Sequence, residues 1–136
     1  MNMEPWIILA VLAVLILFFG LYVLLYRKKR LSGREIDKII NFWKEIEALA
    51  QQHPEQAILK ADKLLDHALK MAGFSGTLGE KMKKARSVFR DNDGVWSAHK
   101  LRNQIAHEID VKVSVSQAQT GLRQFKKALS DLGVPL

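Results

Sequence analysis

Residues 6–26 contain no charged side chain, and nearly every position is Ile, Leu, Val, Ala or Phe. That run leaves few folding options. A helix of ~20 residues rises ~30 Å, the thickness of a bilayer's hydrocarbon core. A helix apolar on every side must be enclosed by protein or by lipid, and the roughly 100 residues that follow are too few to wrap it. The run therefore predicts a membrane-spanning helix whose first partner is the lipid bilayer. Trp6 at one end, and Tyr22 and Tyr26 at the other, stand where amphipathic rings anchor a span at the interface.

Charge then sets the orientation. Arg27, Lys28, Lys29 and Arg30 follow the run directly, whereas Glu4 is the sole charged side chain before it. The positive-inside rule places the N-terminus outside and the rest of the chain in the cytosol, as a single-pass protein of the cytoplasmic (inner) membrane. A cleaved signal peptide carries its basic residues before the apolar stretch and a small-residue cleavage site after it. Here that polarity is reversed. Residues 1–30 are expected to be a lasting anchor, and 31–136 one cytosolic domain.

The domain is punctuated by helix caps. Ser32-Gly33-Arg34-Glu35 has the form of a capping box, with Leu31 and Ile36 spaced as a hydrophobic staple. The helix it opens is expected to bury Ile36, Ile39, Ile40, Trp43, Ile46 and Ala50. His53-Pro54 ends it, and Pro54 suits the first position of the next helix, which carries Ala57, Ile58, Ala61, Leu64, Leu65, Ala68, Leu69 and Ala72 on one stripe. Gly73-Phe74 reads as a C-cap. Thr77-Leu78-Gly79-Glu80 is a second capping box, opening a short basic helix to about residue 90. The turn cluster Asp91-Asn92-Asp93-Gly94 precedes a fourth helix over 95–109. Ser114-Val115-Ser116-Gln117 caps a fifth, with Ala118, Leu122, Phe125, Ala128, Leu129 and Leu132 inward and Gly133 at its end. The alternation of Val111, Val113 and Val115 beside that cap reads as loop. The predicted class is all-α: one transmembrane helix and a four- to five-helix bundle.

Several chemistries are excluded or weak. There is no cysteine, hence no disulfide or thiolate metal site, and no metal-binding motif, so neither a metal nor another cofactor is expected. Once the four juxtamembrane basic residues are set aside, the domain carries only a mild positive excess, compatible with nucleic acid or an anionic membrane. His67 lies opposite its helix's apolar stripe and is expected to be solvated; for His53, in a loop before proline, capping or exposure suffices. Gly73, Gly76 and Gly79 match no phosphate-binding loop and suit a flexible turn. Lys81, Lys83, Lys84, Arg86 and Arg90 read as a solvated helix face, and as the first choice for phosphate contacts if nucleic acid binds.

The fourth helix differs. Val95, Ala98, Leu101, Ile105 and Ile109 make its core stripe, while Trp96, His99, Asn103 and His107 form a second stripe at spacings of three and four. Arg102 projects beside the latter, where it needs an anion, a carboxylate or a partner subunit. Arg102-Asn103, followed after three residues by His107, resembles the Arg-x4–6-His motif of HEPN domains (higher eukaryotes and prokaryotes nucleotide-binding), small helical bundles that carry the motif on a late helix. The likeness spans roughly residues 32–133 and is specific only in this helix.

The resemblance implies RNA binding and metal-independent RNA cleavage at a cleft between two copies of the motif helix. Under it, Arg102, Asn103 and His107 are catalytic: His107 moves a proton at the 2′-hydroxyl or the leaving 5′-oxygen, Arg102 holds the phosphate, and Asn103 orients the imidazole or the substrate. His99 and Lys100 would join the basic cluster in contacting RNA, and Trp96 with His99 would form a homodimer seam. Two alternatives stand beside it. Arg102 pairs with a carboxylate such as Asp66 or Asp62 and His107 tightens a seam; or the bundle is a non-catalytic adaptor docking a cytosolic protein partner at the membrane. The topology is testable without choosing. A reporter enzyme active only outside the cytosol, fused after Leu136, is expected to be silent, and activity would invert the orientation.

Overall fold

The computed structural model describes residues 4–25 and 29–136. It is all-helical: α1 (Pro5–Leu25), α2 (Gly33–Leu49), α3 (Pro54–Met71), α4 (Leu78–Lys84), α5 (Asn92–His107) and α6 (Val115–Asp131), with no strand among the described residues. Tyr26, Arg27 and Lys28 lie outside the described residues. The 21 residues of α1 include no buried one, and the helix is long and apolar enough to cross a membrane. Trp6 and Tyr22 are exposed on it, and Lys29 and Arg30 follow it on the bundle side.

Caps set the ends of the remaining helices. Thr77 and Ser114 each make a complete capping box, the hydroxyl accepting from the backbone N–H three residues on while the Glu80 or Gln117 side chain accepts from the cap's own N–H. At α2 only half of the box forms. Ser32 Oγ accepts from the Glu35 N–H at 3.3 Å, but the Glu35 carboxylate turns away to His67 Nε2 on α3, 2.8 Å distant. This corrects the expectation of a solvated His67: its ring is half-buried, and an imidazole across the helix interface competes well with a neutral amide for the carboxylate. Gly73, with φ +95°, ends α3 in a Schellman motif, its N–H donating to Lys70 O and that of Phe74 to Leu69 O, both at 3.0 Å.

Two boundaries differ from the sequence reading. The basic helix stops at Lys84, because Ala85 and Phe89 turn into the core and Val88 N–H closes a tighter bond to Ala85 O at 2.8 Å. Gly79 consequently lies inside α4, not in a flexible turn. Helix α5 begins at Asn92, where the Asp91 carboxylate caps Gly94 N–H at 2.9 Å, and ends at His107. Ile109 is therefore no core residue but 98% exposed. The chain turns extended at Glu108, and Val113 fills the core instead, its N–H held by the Glu55 carboxylate at the start of α3.

Helix α3 is the axis of the bundle, packing against α2, α4, α5 and α6. All eight residues of its expected stripe are buried. Burying a Leu or Ile side chain contributes roughly 1.5–3 kcal/mol, so Ile58, Leu64, Leu65 and Leu69 of this stripe are a substantial part of the core's cohesion. Gly121 brings α6 close: a Cβ there would lie 2.8 Å from Ile58 Cδ1.

Acid should loosen the caps and the α2–α3 contact. The hydrogen bond from His67 holds the Glu35 carboxyl below its ordinary value, and the Thr77 backbone N–H does the same for Glu80. Depressed carboxyls add stability that is complete above the unfolded-chain pKa and lost as pH falls through the folded one. The melting temperature of a 29–136 fragment is expected to fall below about pH 4.5, less steeply in Glu35→Gln. An identical acid slope in that variant would contradict the assignment.

Candidate functional site

Asp62 sits on α3 between Ile58 and Leu65, four residues from one and three from the other, so helical periodicity carries its carboxylate into the core. It is only 3% exposed. A buried carboxylate is costly unless its charge is met, and α5 meets it twice. His99 Nδ1 lies 2.7 Å from Asp62 Oδ1, and Arg102 Nε lies 3.1 Å from Oδ2, an ion-pair contact whose angle falls outside hydrogen-bond geometry. Asn103 closes the ring: its Oδ1 accepts from Arg102 Nη1 at 3.0 Å, and its Nδ2 faces His99 Nε2 at 3.3 Å.

The ring fixes its own proton positions. A guanidinium only donates, so the Asn103 amide must turn its oxygen to Arg102 and its NH2 to His99. His99 Nε2 is then the acceptor, and the ring proton sits on Nδ1, facing the Asp62 carboxylate. The i, i+3 and i, i+4 spacing of His99, Arg102 and Asn103 puts all three on one side of α5. Trp96, one turn earlier, meets the His99 ring edge-on at 5.9 Å and lies near Gly79 of α4. Trp96, Ser97, His99, Lys100, Asn103 and Asp93 line an open cleft of about 490 Å³.

Of the sequence-selected trio, Arg102 and Asn103 are thus brought together and His107 is not. His107 is the exposed last residue of α5, one turn beyond Asn103 on the same stripe. Five residues rotate a helix by about 500°, so Arg102 and His107 leave α5 about 140° apart. His99, selected for RNA and for a dimer seam, has its ring turned inward to Asp62, while Lys100 is exposed on the cleft rim.

The basic cluster does not form one face. Lys81 is buried and paired to Asp66 at 2.7 Å, which also leaves Asp62 as the carboxylate that Arg102 takes. Lys84 Nζ donates to Ser75 O at 2.7 Å, and Arg90 pairs with Asp131. Lys83 and Arg86 are exposed. The larger groove of about 730 Å³ lies elsewhere, between α5 and α6, and leaves Gln124 Oε1 without a partner.

The Asp62–His99 contact was not anticipated, though a signal existed. Asp62 interrupts an apolar stripe, and a charge at such a position must be paired. Compared with protein-family models, curated proteins and solved structures, the chain matches none.

Removing Asp62 tests the ring. Asp62→Ala strands Arg102 and His99 and is expected to cost about 3 kcal/mol of unfolding free energy, read by urea denaturation of the 29–136 fragment, with Asp62→Asn milder. A loss under about 0.5 kcal/mol, the level of an ordinary surface substitution, would make the ring incidental.

Proposed function

We propose that this protein is a membrane-anchored, HEPN-like RNA-binding domain that cleaves RNA without a metal, working as a homodimer. In this reading α1 crosses the cytoplasmic membrane with the N-terminus outside, and the bundle meets RNA in the cytosol. The observation that carries it is the Asp62 ring. It spends Nε and Nη1 of Arg102 on holding the guanidinium still and leaves Nη2 with no partner among the described residues, on a side chain 28% exposed. A preorganised, partly open arginine suits a phosphate and the charge that builds on it during transfer.

The reaction is transesterification. The RNA 2′-oxygen attacks the adjacent phosphorus, the bond from phosphorus to the 5′-oxygen breaks, and a 2′,3′-cyclic phosphate and a 5′-hydroxyl result. His107 moves the proton at one of those oxygens. Because Arg102 and His107 diverge on one helix, a phosphate held by both residue types requires a second copy across α5. Trp96, half-buried at the cleft, is a suitable seam residue for a two-fold contact. Tethering in one bilayer raises the effective concentration of the copies.

A second reading has its own support. The ring pairs the Arg102 charge with Asp62 and gives both Asn103 amide groups a neighbour without any ligand, as a purely structural network would, and this favours the non-catalytic adaptor. The full-length protein in nanodiscs, given single-stranded RNA and a chelator, decides. Cleavage to cyclic-phosphate ends is expected, lowered at least ~100-fold by His107→Ala, with RNA binding retained. Wild-type protein that neither binds nor cuts RNA would leave the adaptor.

A further inference from the structure

Only Tyr26, Arg27 and Lys28 separate Leu25, the end of α1, from Lys29. Lys29 is pinned: its backbone N–H donates to Ala72 O at 3.2 Å, and its Cβ lies against Gly73. A linker that short reaches at most ~14 Å. The apolar length of α1 matches the ~30 Å hydrocarbon core, so if α1 spans the bilayer, the C-terminal end of α3 is held at or just beyond the headgroup layer. This step rests on the membrane-anchor reading proposed above.

The corner held there is basic. Lys29 and Arg30 border a cleft of about 630 Å³ whose apolar wall includes Phe74 and Val88. Arg90, 80% exposed, meets Asp131 through Nε and its backbone N–H, which leaves both terminal guanidinium nitrogens without a partner among the described residues. Among the described residues Lys84 bonds only to Ser75, and it is exposed. Of the neighbouring acids, Asp131 is paired with Arg90, and Glu80, held by the Thr77 N–H, keeps a charge that offsets part of that on Lys84, so the four basic side chains outnumber two acids. We propose that this corner docks on anionic phospholipid headgroups of the bilayer that α1 crosses, with Lys29, Arg30, Lys84 and Arg90 as the phosphate contacts. Charge complementarity favours lipid, and so does position: an RNA strand at this corner would have to enter between the domain and the membrane. Each basic residue near an anionic surface shifts binding roughly fivefold, so neutralising two should lower the docked-to-undocked ratio roughly 25-fold.

The chain has no cysteine, so one introduced thiol reports one place. Full-length Ser87→Cys, beside Val88, and Gln51→Cys, at the opposite end of α3, each carry a fluorophore in vesicles containing a headgroup-linked quencher. The corner label is expected to be quenched in vesicles with 30% anionic lipid, much less in zwitterionic ones and less at high salt, while the Gln51 label stays bright. Lys84→Gln with Arg90→Gln should bring the corner label to the zwitterionic level. Arg30→Gln with Lys84→Gln, which leaves the Arg90–Asp131 pair intact, should do the same if folding is disturbed in the first pair. Quenching that ignores lipid charge and both variants would overturn the proposal. So would variants that keep the lipid contact but lose binding of added RNA, which would assign the corner to nucleic acid. Release of the wild-type chain from vesicles by alkaline wash would instead overturn the anchor itself, and is distinguishable because no label then meets the quencher.

Discussion

The buried carboxylate of Asp62 is the constraint on which the rest of the α5 face depends. A charge that deep in the bundle demands compensation, and among the described residues the compensation comes from one helix: His99 and Arg102 of α5, with Asn103 joining them. The demand does more than hold α5 against α3. It dictates the rotation of α5, the tautomer of His99 and the orientation of the Asn103 amide, and through them where the arginine fork opens. Hydrophobic packing of Val95 and Ala98 would tolerate small rotations of α5; a ring of polar contacts at 2.7–3.3 Å does not.

Both ends of α3 are also fastened to chain segments that are not helical. At the N-terminal end the Glu55 carboxylate holds Val113 N–H and so fixes the loop between α5 and α6. At the C-terminal end the Ala72 carbonyl takes the Lys29 N–H. One helix therefore carries the core stripe, the ring's carboxylate, the loop beyond His107 and the link towards α1. Lys29 and the α5 face are thus joined through one helix, α3.

Much of this fold was legible because local signals agreed with one another. Thr77 with Glu80 and Ser114 with Gln117 form the boxes that their spacing announces, and the α3 stripe is buried throughout. What was hidden is tertiary choice. Glu35 has the position of a capping-box acid, but a better donor waits on α3 in His67. Ile109 continues the α5 periodicity, yet the helix has ended two residues earlier, and Val113 takes the core. At the candidate site, the sequence singled out Arg102, Asn103 and His107, and even offered Asp62 as a partner for Arg102. It did not pair His99 with Asp62, because Trp96, His99 and His107 look equivalent along one stripe, and only the position of α3 distinguishes them.

The ring makes a sharp claim about a single proton. In long-range nitrogen–proton NMR spectra of the 15N-histidine-labelled 29–136 fragment, His99 should show a protonated Nδ1 and a bare, hydrogen-bond-accepting Nε2, while exposed His53 and His107 exchange freely between tautomers. In Asn103→Ala, the Nε2 signal should move as its donor is lost. A His99 protonated on Nε2 with a bare Nδ1, or one averaging like its exposed counterparts, would contradict the account, because Asp62 would then lack its hydrogen-bond donor and the Asn103 amide would no longer be oriented towards Arg102.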